Sequence, residues 1–320
     1  MSDSISLGAI GTSSIMEYIQ RGIALTEGLS CRVVYSRDTR RGAAFAEKMG
    51  IPESTDDLES LLSRPDIQAV YVASPNKFHP EQAIRAMEHG KHVFVEKPAA
   101  VRTADLEAMI HAAEQNGVFF FECITTIFMP NFQKWKTFLP AIGAIGEAEI
   151  FYGQYSSRYD AYLRGEDPNI FNPAMDGGAL NDLGIYAIHG AIELFGAPTE
   201  VRYDPDLGEN GIDLAGVLTL RYPTFSCRIH TAKNRPMDSG CRITGKNGTL
   251  ESHGPLNAFS NCTVCLQGSF HEIREQSEEN RMIYEFARFR DAITDHDVEF
   301  FREMCRRSML AASILERARD

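Results

Sequence analysis

Three residues at helical spacing carry the first chemical signal in this chain. Asp182 and Tyr186 stand four apart, and His189 follows three further on. At about 100° per residue they fall within roughly 60° of one another on a helix. One face then presents a carboxylate, a phenol and an imidazole, groups that accept and donate protons. The plain alternative makes Tyr186 and His189 buried amphipathic side chains with one hydrogen bond each. A second signal is Lys97, which follows the apolar run His92-Val-Phe-Val-Glu96 and precedes Pro98. An ammonium at the end of a buried strand is costly without a partner or a task.

A third signal lies at the start, in Ile10-Gly11-Thr12-Ser13-Ser14-Ile15-Met16. A dinucleotide-binding turn reads G-x-G-x-x-G or -A. Its glycines serve a tight turn, close backbone approach to the pyrophosphate, and helix–strand packing. Gly11 fits the first role, Ser13 stands at the second position and Met16 at the third. Alone, the segment fits an ordinary strand-to-helix turn as well. Its place between a first strand and a first helix suits a phosphate at the helix N-terminus.

The second strand ends in Tyr35-Ser36-Arg37-Asp38, followed by Arg40 and Arg41. An NAD site usually puts an acidic residue here for the ribose 2′-hydroxyl. A small hydroxyl and a guanidinium suit a 2′-phosphate and adenine stacking instead. NADP is therefore expected over NAD. The alternative leaves Arg37 solvated and gives a ribose hydroxyl to Asp38. The run Ala69–Ala73 ends in Ser74-Pro75-Asn76, with His79 close by. Its end and that of the Lys97 strand are expected to face one crevice.

Those ends need a sheet behind them. β-like runs at 5–10, 31–36, 68–73, 92–96 and 118–121 alternate with helical patterns near 15–27, 39–49, 56–63, 77–89 and 103–116. Thr39 is placed to cap the second helix and Gly50 to end it. The alternation predicts right-handed βαβ units and a doubly wound parallel sheet, an α/β fold. The pattern changes near residue 122. A helical stretch at 130–140 precedes a strand at 148–155, and a helix spans about 178–195. The stretch 199–266 is mostly strand-like. Phe225, Cys227, Ile229 and Thr231 alternate with Ser226, Arg228 and His230, as in a half-buried antiparallel strand. Gly245-Lys-Asn-Gly248 reads as a hairpin loop. In the last forty residues Phe301, Met304, Cys305, Ser308, Met309, Ala312 and Leu315 form a helical core stripe. Residues 1–121 and 122–320 are the expected domains, with helices over 278–320 free to pack back on the first.

The chain has 320 residues and a net charge of −12, which argues against a general nucleic-acid binder. It has no apolar run near the ~20 residues of a membrane span and no signal-peptide start, so a cytoplasmic protein is expected. The seven cysteines include a single C-x-x-C pair, Cys262 and Cys265. In a strand these two point to opposite faces, and nothing completes a zinc site. No metal is expected.

Val70-Tyr-Val-Ala-Ser-Pro-Asn76 with His79, then Glu96-Lys97-Pro98, resembles the glucose-fructose oxidoreductase, inositol dehydrogenase and rhizopine-catabolism (Gfo/Idh/MocA) family. Gly177-Gly178-Ala-Leu-Asn-Asp182-Leu-Gly-Ile-Tyr186 resembles that family's Gly-rich helix start with its Asp and its His or Tyr. The resemblance runs along nearly the whole chain and is nearest the dimeric dihydrodiol dehydrogenase branch.

The resemblance implies an N-terminal Rossmann domain and a C-terminal α+β domain with a large, open, mostly antiparallel sheet. It implies a site between them, and dimers or tetramers built through that sheet. It implies that Lys97 contacts both nicotinamide ribose and substrate. With the turn and strand-end readings above, the cofactor is expected at Gly11, Thr12, Ser13, Ser14, Ile15, Ser36, Arg37, Arg41, Ser74, Pro75, Asn76, His79, Glu96, Lys97 and Pro98. The Lys97–Pro98 bond is expected to be cis. The reaction implied is hydride transfer between nicotinamide and a CH–OH carbon of a sugar, cyclitol or diol. Tyr186 follows the family's acid/base position, with Lys97 lowering its pKa, and Lys97 itself is the second candidate for proton transfer. Asp182 would hold a substrate hydroxyl or orient the Lys–Tyr pair.

His189 and Arg158 are further candidate substrate residues. Arg158 lies in the polar, aromatic segment Gln154-Tyr155-Ser-Ser-Arg158-Tyr159-Asp160, and a loop salt bridge is its equal alternative. Two features depart from the family: Ser13, and the segment Glu122–Pro130 where dihydrodiol-type relatives carry Trp and Arg. A non-catalytic cofactor-binding sensor on the same fold is the competing reading. It leaves Lys97, Asp182 and Tyr186 without a task. A methyltransferase would leave Glu-Lys-Pro unexplained.

Overall fold

Short runs of branched and aromatic residues build the first layer. In the computed structural model, which describes residues 4–278 and 280–319, they become β1 (Ile5–Ile10), β2 (Leu29–Tyr35), β3 (Glu53–Thr55), β4 (Ala69–Val72), β5 (His92–Glu96) and β6 (Phe120–Cys123). Between them run α1 (Ser14–Leu25), α2 (Thr39–Met49), α3 (Leu58–Leu62), α4 (His79–Glu88) and α5 (Thr103–Asn116). The strands are parallel in the order β3-β2-β1-β4-β5-β6, the order of a dinucleotide-binding sheet. The order reverses between β1 and β4, so their carboxyl ends flank the crevice.

Two local readings change. β3 is polar and three residues long, so no apolar run announced it. Thr39 is not the cap of α2. Asp38 has the extended backbone of an N-cap, and its carboxylate accepts the Arg41 N–H at 3.0 Å. Gly50 does end that helix, at φ 67°.

The second layer contains α6 (Pro130–Lys136), β7 (Ile145–Gly153), α7 (Tyr159–Leu163), a π-helical turn (Leu180–Gly184) that runs into α8 (Ile185–Phe195), β8 (Glu200–Leu207), β9 (Asp213–Arg221), β10 (Ser226–Ala232), β11 (Gly240–Gly245), β12 (Gly248–His253), β13 (Asn261–Leu266) and β14 (Ser269–Ile273). Its strands form one sheet, β14-β13-β12-β11-β7-β10-β9-β8. The Lys246-Asn247 loop joins β11 and β12, with Gly245 opposite Gly248. In β10, Cys227 and Ile229 are buried and Arg228 is exposed, as the alternation predicted. Its pairing differs on one side: β10 is antiparallel to β9 but parallel to β7. Alternation reports one buried face and carries no sign of strand direction. On the buried side, Trp135 of α6 donates its indole N–H to the Thr263 carbonyl at 3.2 Å.

The chain ends in α9 (Met282–Thr294) and α10 (Val298–Arg317). By contacts it forms two units. One gathers the chain up to Cys123 with Glu278–Met309, and the other gathers Ile124–Ser277 with the residues from Leu310. α9 packs on the first sheet through Phe286 and Phe289, both fully buried. Phe289 stacks on Phe121 with ring centroids 4.6 Å apart. Phe301, Met304, Cys305, Ser308, Ala312 and Leu315 of the α10 stripe are buried as well. Among the described residues, no helix is long and apolar enough to cross a membrane.

Candidate active site

In the first unit the carboxyl ends of β1, β4 and β5 carry the predicted cofactor residues. Gly11 leaves β1 at φ 116°, and a Cβ there would lie 2.7 Å from the Ala73 carbonyl oxygen. The loop after β1 and the loop after β4 touch at this point, so a side chain is excluded and glycine is required. Ser13 is the N-cap of α1, but its hydroxyl caps no N–H. The Ser13 and Ser74 Oγ atoms are both buried without a hydrogen-bond partner. Unpartnered buried hydroxyls at a helix N-terminus fit the phosphates of a dinucleotide. Met16, at the third glycine position, is fully buried against the sheet. Ser14 and Ile15 are exposed at the helix start.

At the end of β2, Ser36 is 8% exposed and accepts the Asp38 N–H at 3.3 Å. Arg37 is exposed. Arg41 donates to the Thr12 carbonyl at 3.2 Å and ties this end to the Gly11 loop. Asp38 caps the α2 N-terminus through one carboxylate oxygen. These residues fit NAD(P), with the Asp38 carboxylate at a helix cap and the Arg37 guanidinium exposed.

After β4, Pro75 leads into a short 3-10 turn that starts at Asn76. His79 is 1% exposed and sits with Nδ1 2.9 Å from the Pro98 carbonyl and Nε2 2.8 Å from the Ser74 carbonyl. Both neighbours are acceptors, so the neutral ring donates to one carbonyl and lies against the other, between the β4 and β5 loops. Burial lowers its pKa. Glu96 is also buried and accepts from the Tyr71 hydroxyl at 2.7 Å. Lys97 is half-buried, and the Lys97–Pro98 peptide is cis. Sequence reasoning gave Glu122 no role here. It is 3% exposed, accepts the Ala99 N–H at 2.9 Å and the Ser308 hydroxyl at 2.5 Å, and so anchors the backbone just past Pro98.

In the second unit the Gly177–Tyr186 segment is clamped on several sides. Gly178 has φ 104°, and a Cβ there would run into Asp213 Oδ1. The Asp213 carboxylate accepts the Leu180 N–H at 2.7 Å and the Tyr203 hydroxyl at 2.8 Å. Burial nevertheless raises its pKa. Asn181 donates to the Asp176 and Gly177 carbonyls, both at 3.0 Å, and its Oδ1 accepts from Arg319 at 2.6 Å. The π turn at Leu180–Gly184 opens the spacing before Tyr186, so angles counted at 100° per residue do not hold across it.

Tyr186 is 9% exposed and meets Tyr152 edge to face, with centroids 5.6 Å apart. His189 is 1% exposed, enclosed within the unit. Asp182 keeps 21% of its side-chain surface and is paired with Lys233, which sequence reasoning did not single out. Arg158 is exposed at the start of α7.

A cavity of about 610 Å³ opens beside Tyr152, lined also by Gln154, Met237, Asp238, His253 and Asn257. It brings amide, imidazole and carboxylate groups together with an aromatic and a thioether wall. None of its lining residues is Lys or Arg. Such a lining offers hydrogen bonds to hydroxyl groups and no permanently charged cation to an anion.

Residues 5–123 match the family model of an oxidoreductase family with an NAD-binding Rossmann fold (GFO_IDH_MocA). Residues 139–251 match the GFO/IDH/MocA C-terminal domain. The NADP(+)-dependent scyllo-inositol 2-dehydrogenase IolU of Bacillus subtilis (strain 168) is 35% identical over 98% of this chain and 96% of its own length. The trans-1,2-dihydrobenzene-1,2-diol dehydrogenase of Oryctolagus cuniculus is 29% identical over 68% of this chain and 65% of its own. Among solved structures, a 3-ketoreductase from Actinomadura kijaniata in complex with NADP and TDP-benzene has a TM-score of 0.88 at 21% identity, covering 99% of this chain and 97% of that one. A levoglucosan dehydrogenase in complex with NADH and levoglucosan has a TM-score of 0.82 at 20% identity, covering 98% and 96%.

Proposed function

Since the chain belongs to the GFO/IDH/MocA oxidoreductase family, we propose that it is an NADP-dependent dehydrogenase acting on a CH–OH carbon of a neutral cyclitol, sugar or diol. The observation that carries the substrate class is the cavity beside the Tyr152–Tyr186 pair, whose lining has hydrogen-bonding groups and no cation. The NADP preference is supported by the end of β2, where Asp38 caps a helix and Arg37 stands exposed. The NADP-dependent inositol dehydrogenase relative agrees with both.

When bound, the nicotinamide would accept or supply the hydride. The rest falls to this chain's residues. Gly11, Ser13 and the α1 N-terminus would hold the pyrophosphate, with Ser74, Asn76 and the Glu96-Lys97-Pro98 turn beside the nicotinamide half. In oxidation Tyr186 takes the hydroxyl proton as the carbonyl forms, and in reduction it returns the proton to the alkoxide oxygen. Lys97 would supply positive charge beside the nicotinamide ribose. Asp182 accepts a second substrate hydroxyl and sets which carbon faces the cofactor. His79 and Glu122 are buried within the first unit, and His189 within the second. The reading carries with it a cytoplasmic homodimer or homotetramer built through the eight-stranded sheet.

Steady-state turnover with NADP⁺ over a panel of cyclitols, sugars and diols tests this. Tyr186→Phe is expected to lower kcat about 10²–10⁴-fold while NADPH affinity stays within about twofold. Turnover unchanged in that variant removes the acid/base role.

A further inference from the structure

The second unit holds a buried lysine at a strand end. Lys233 follows β10, and its side chain is 3% exposed. Its backbone is clamped on both sides: its N–H donates to the Leu214 carbonyl at 2.8 Å, and its carbonyl accepts the Ser156 N–H at 2.9 Å. The ammonium donates to Asp182 Oδ2 and lies 6.0 Å from the centroid of the Phe171 ring. An ammonium at that depth is costly to desolvate, and a close carboxylate offsets the cost.

The pair is unequal in depth. Lys233 is sealed, while Asp182 keeps 21% of its side-chain surface. Buried ion pairs contribute little net stability compared with apolar residues of the same volume. Stability alone therefore gives no reason for this one. Asp182 also sits on the π turn four residues before Tyr186, and the backbone of that turn is fixed from its other side by Asp213 and Asn181.

We infer that Lys233 is a positioning residue: it holds one Asp182 oxygen from its sealed side, so that the partly exposed carboxylate is fixed in place as an acceptor for a substrate hydroxyl. The assignment rests on the reading of Asp182 and Tyr186 proposed above. It also deepens that reading. A fixed carboxylate accepts O–H groups and repels phosphate and carboxylate, so it selects a neutral polyol and one hydroxyl of it.

The test uses the best cyclitol of the panel and its monodeoxy series with wild type, Lys233→Met, Asp182→Asn and the double variant. A hydrogen bond to a charged group is worth enough that Lys233→Met should raise KM at least ~10-fold. Change in kcat should stay within about threefold, and NADPH affinity should be unaltered. Wild type should discriminate against one deoxy analogue, and Lys233→Met should lose that discrimination. The double variant should be no worse than the poorer single one.

A KM within about twofold of wild type, with only a lower melting temperature, marks a structural ion pair and overturns the assignment. So do effects of the two substitutions that multiply. Lys233→Gln replaces Lys233→Met if the latter does not fold, and failure of both marks the pair as structural. A wild-type protein that binds NADPH but turns over no member of the panel overturns the underlying reading instead.

Discussion

Arg37 and Asp38 divide the work at the end of β2. The carboxylate is spent on the Arg41 N–H, 3.0 Å away, and the guanidinium is exposed. Arg37→Ala is therefore expected to weaken NADPH binding at least ~10-fold, about 1.4 kcal/mol, with NADH changed by less than about twofold. Fluorescence titration of the cofactor-free protein reads both, and equal losses for the two cofactors would remove the 2′-phosphate role. Single residues were unevenly legible. Lys97 stood out because a cation at the end of an apolar strand is costly, and Gly11 because it stands where a dinucleotide-binding turn needs a glycine. Helical spacing gave Asp182, Tyr186 and His189 one face, but spacing carries no depth. In the structure Asp182 keeps surface, Tyr186 is nearly covered and His189 is enclosed. Lys233 gave the same signal as Lys97, a cation closing an alternating apolar strand, and its partner lies 51 residues away in sequence.

Elements were legible where one physical cause dominates. Buried runs gave the parallel strands, and a left-handed glycine gave the end of α2. β3 was not legible, since a three-residue polar strand has no pattern of its own. The π turn was not legible either. It depends on a clamp from distant residues, above all the Asp213 carboxylate on the Leu180 N–H. Gly178→Ala meets that clamp head-on and has an unfavourable φ besides. It should cost more than about 2 kcal/mol in urea unfolding and raise substrate KM more than NADPH Kd. Unchanged stability would mean the turn relaxes freely.

A second element-scale consequence concerns β5 and β6. His92 Nδ1 accepts the Phe119 N–H at 3.0 Å, so the bond needs the neutral ring. Burial lowers the His92 pKa to about 4, with His296 adding to the effect. The folded state then binds fewer protons than the unfolded chain, whose histidine titrates near ~6.5. Stability is complete above that value and falls as pH drops toward 4. Between pH 7 and 5 the expected loss is about 1–2 kcal/mol. His92→Gln, which keeps an acceptor without the titration, should show a flatter stability–pH curve, and an equally steep one would assign the loss to other groups.

At the scale of the whole molecule, the alternating first half and the strand-rich second half were readable because their hydrophobic periods differ. The return of the last helices was expected over 278–320; by contacts Glu278–Met309 groups with the first unit and the residues from Leu310 with the second. Packing of α9 on the first sheet depends on complementary surfaces rather than on local pattern. Net charge of −12 sets the molecule apart from nucleic-acid binders and permits one small basic site such as that at Arg37. Binding there stabilises the fold by linkage, so NADPH at about 100 times its Kd should add ~2.7 kcal/mol to unfolding. NADH at the same concentration should add less.

Stabilisation shows binding, whereas the central claim is transfer of a hydride from a CH–OH carbon. The direct measurement is incubation of the purified protein with NADP⁺ and a cyclitol deuterated at its CH–OH carbons, with the mass of the NADPH formed as readout. The account predicts deuterium in the nicotinamide ring with wild type, and far slower transfer with Tyr186→Phe. Tight NADPH binding with no deuterated NADPH from any polyol offered would contradict it and leave a cofactor-binding sensor in its place.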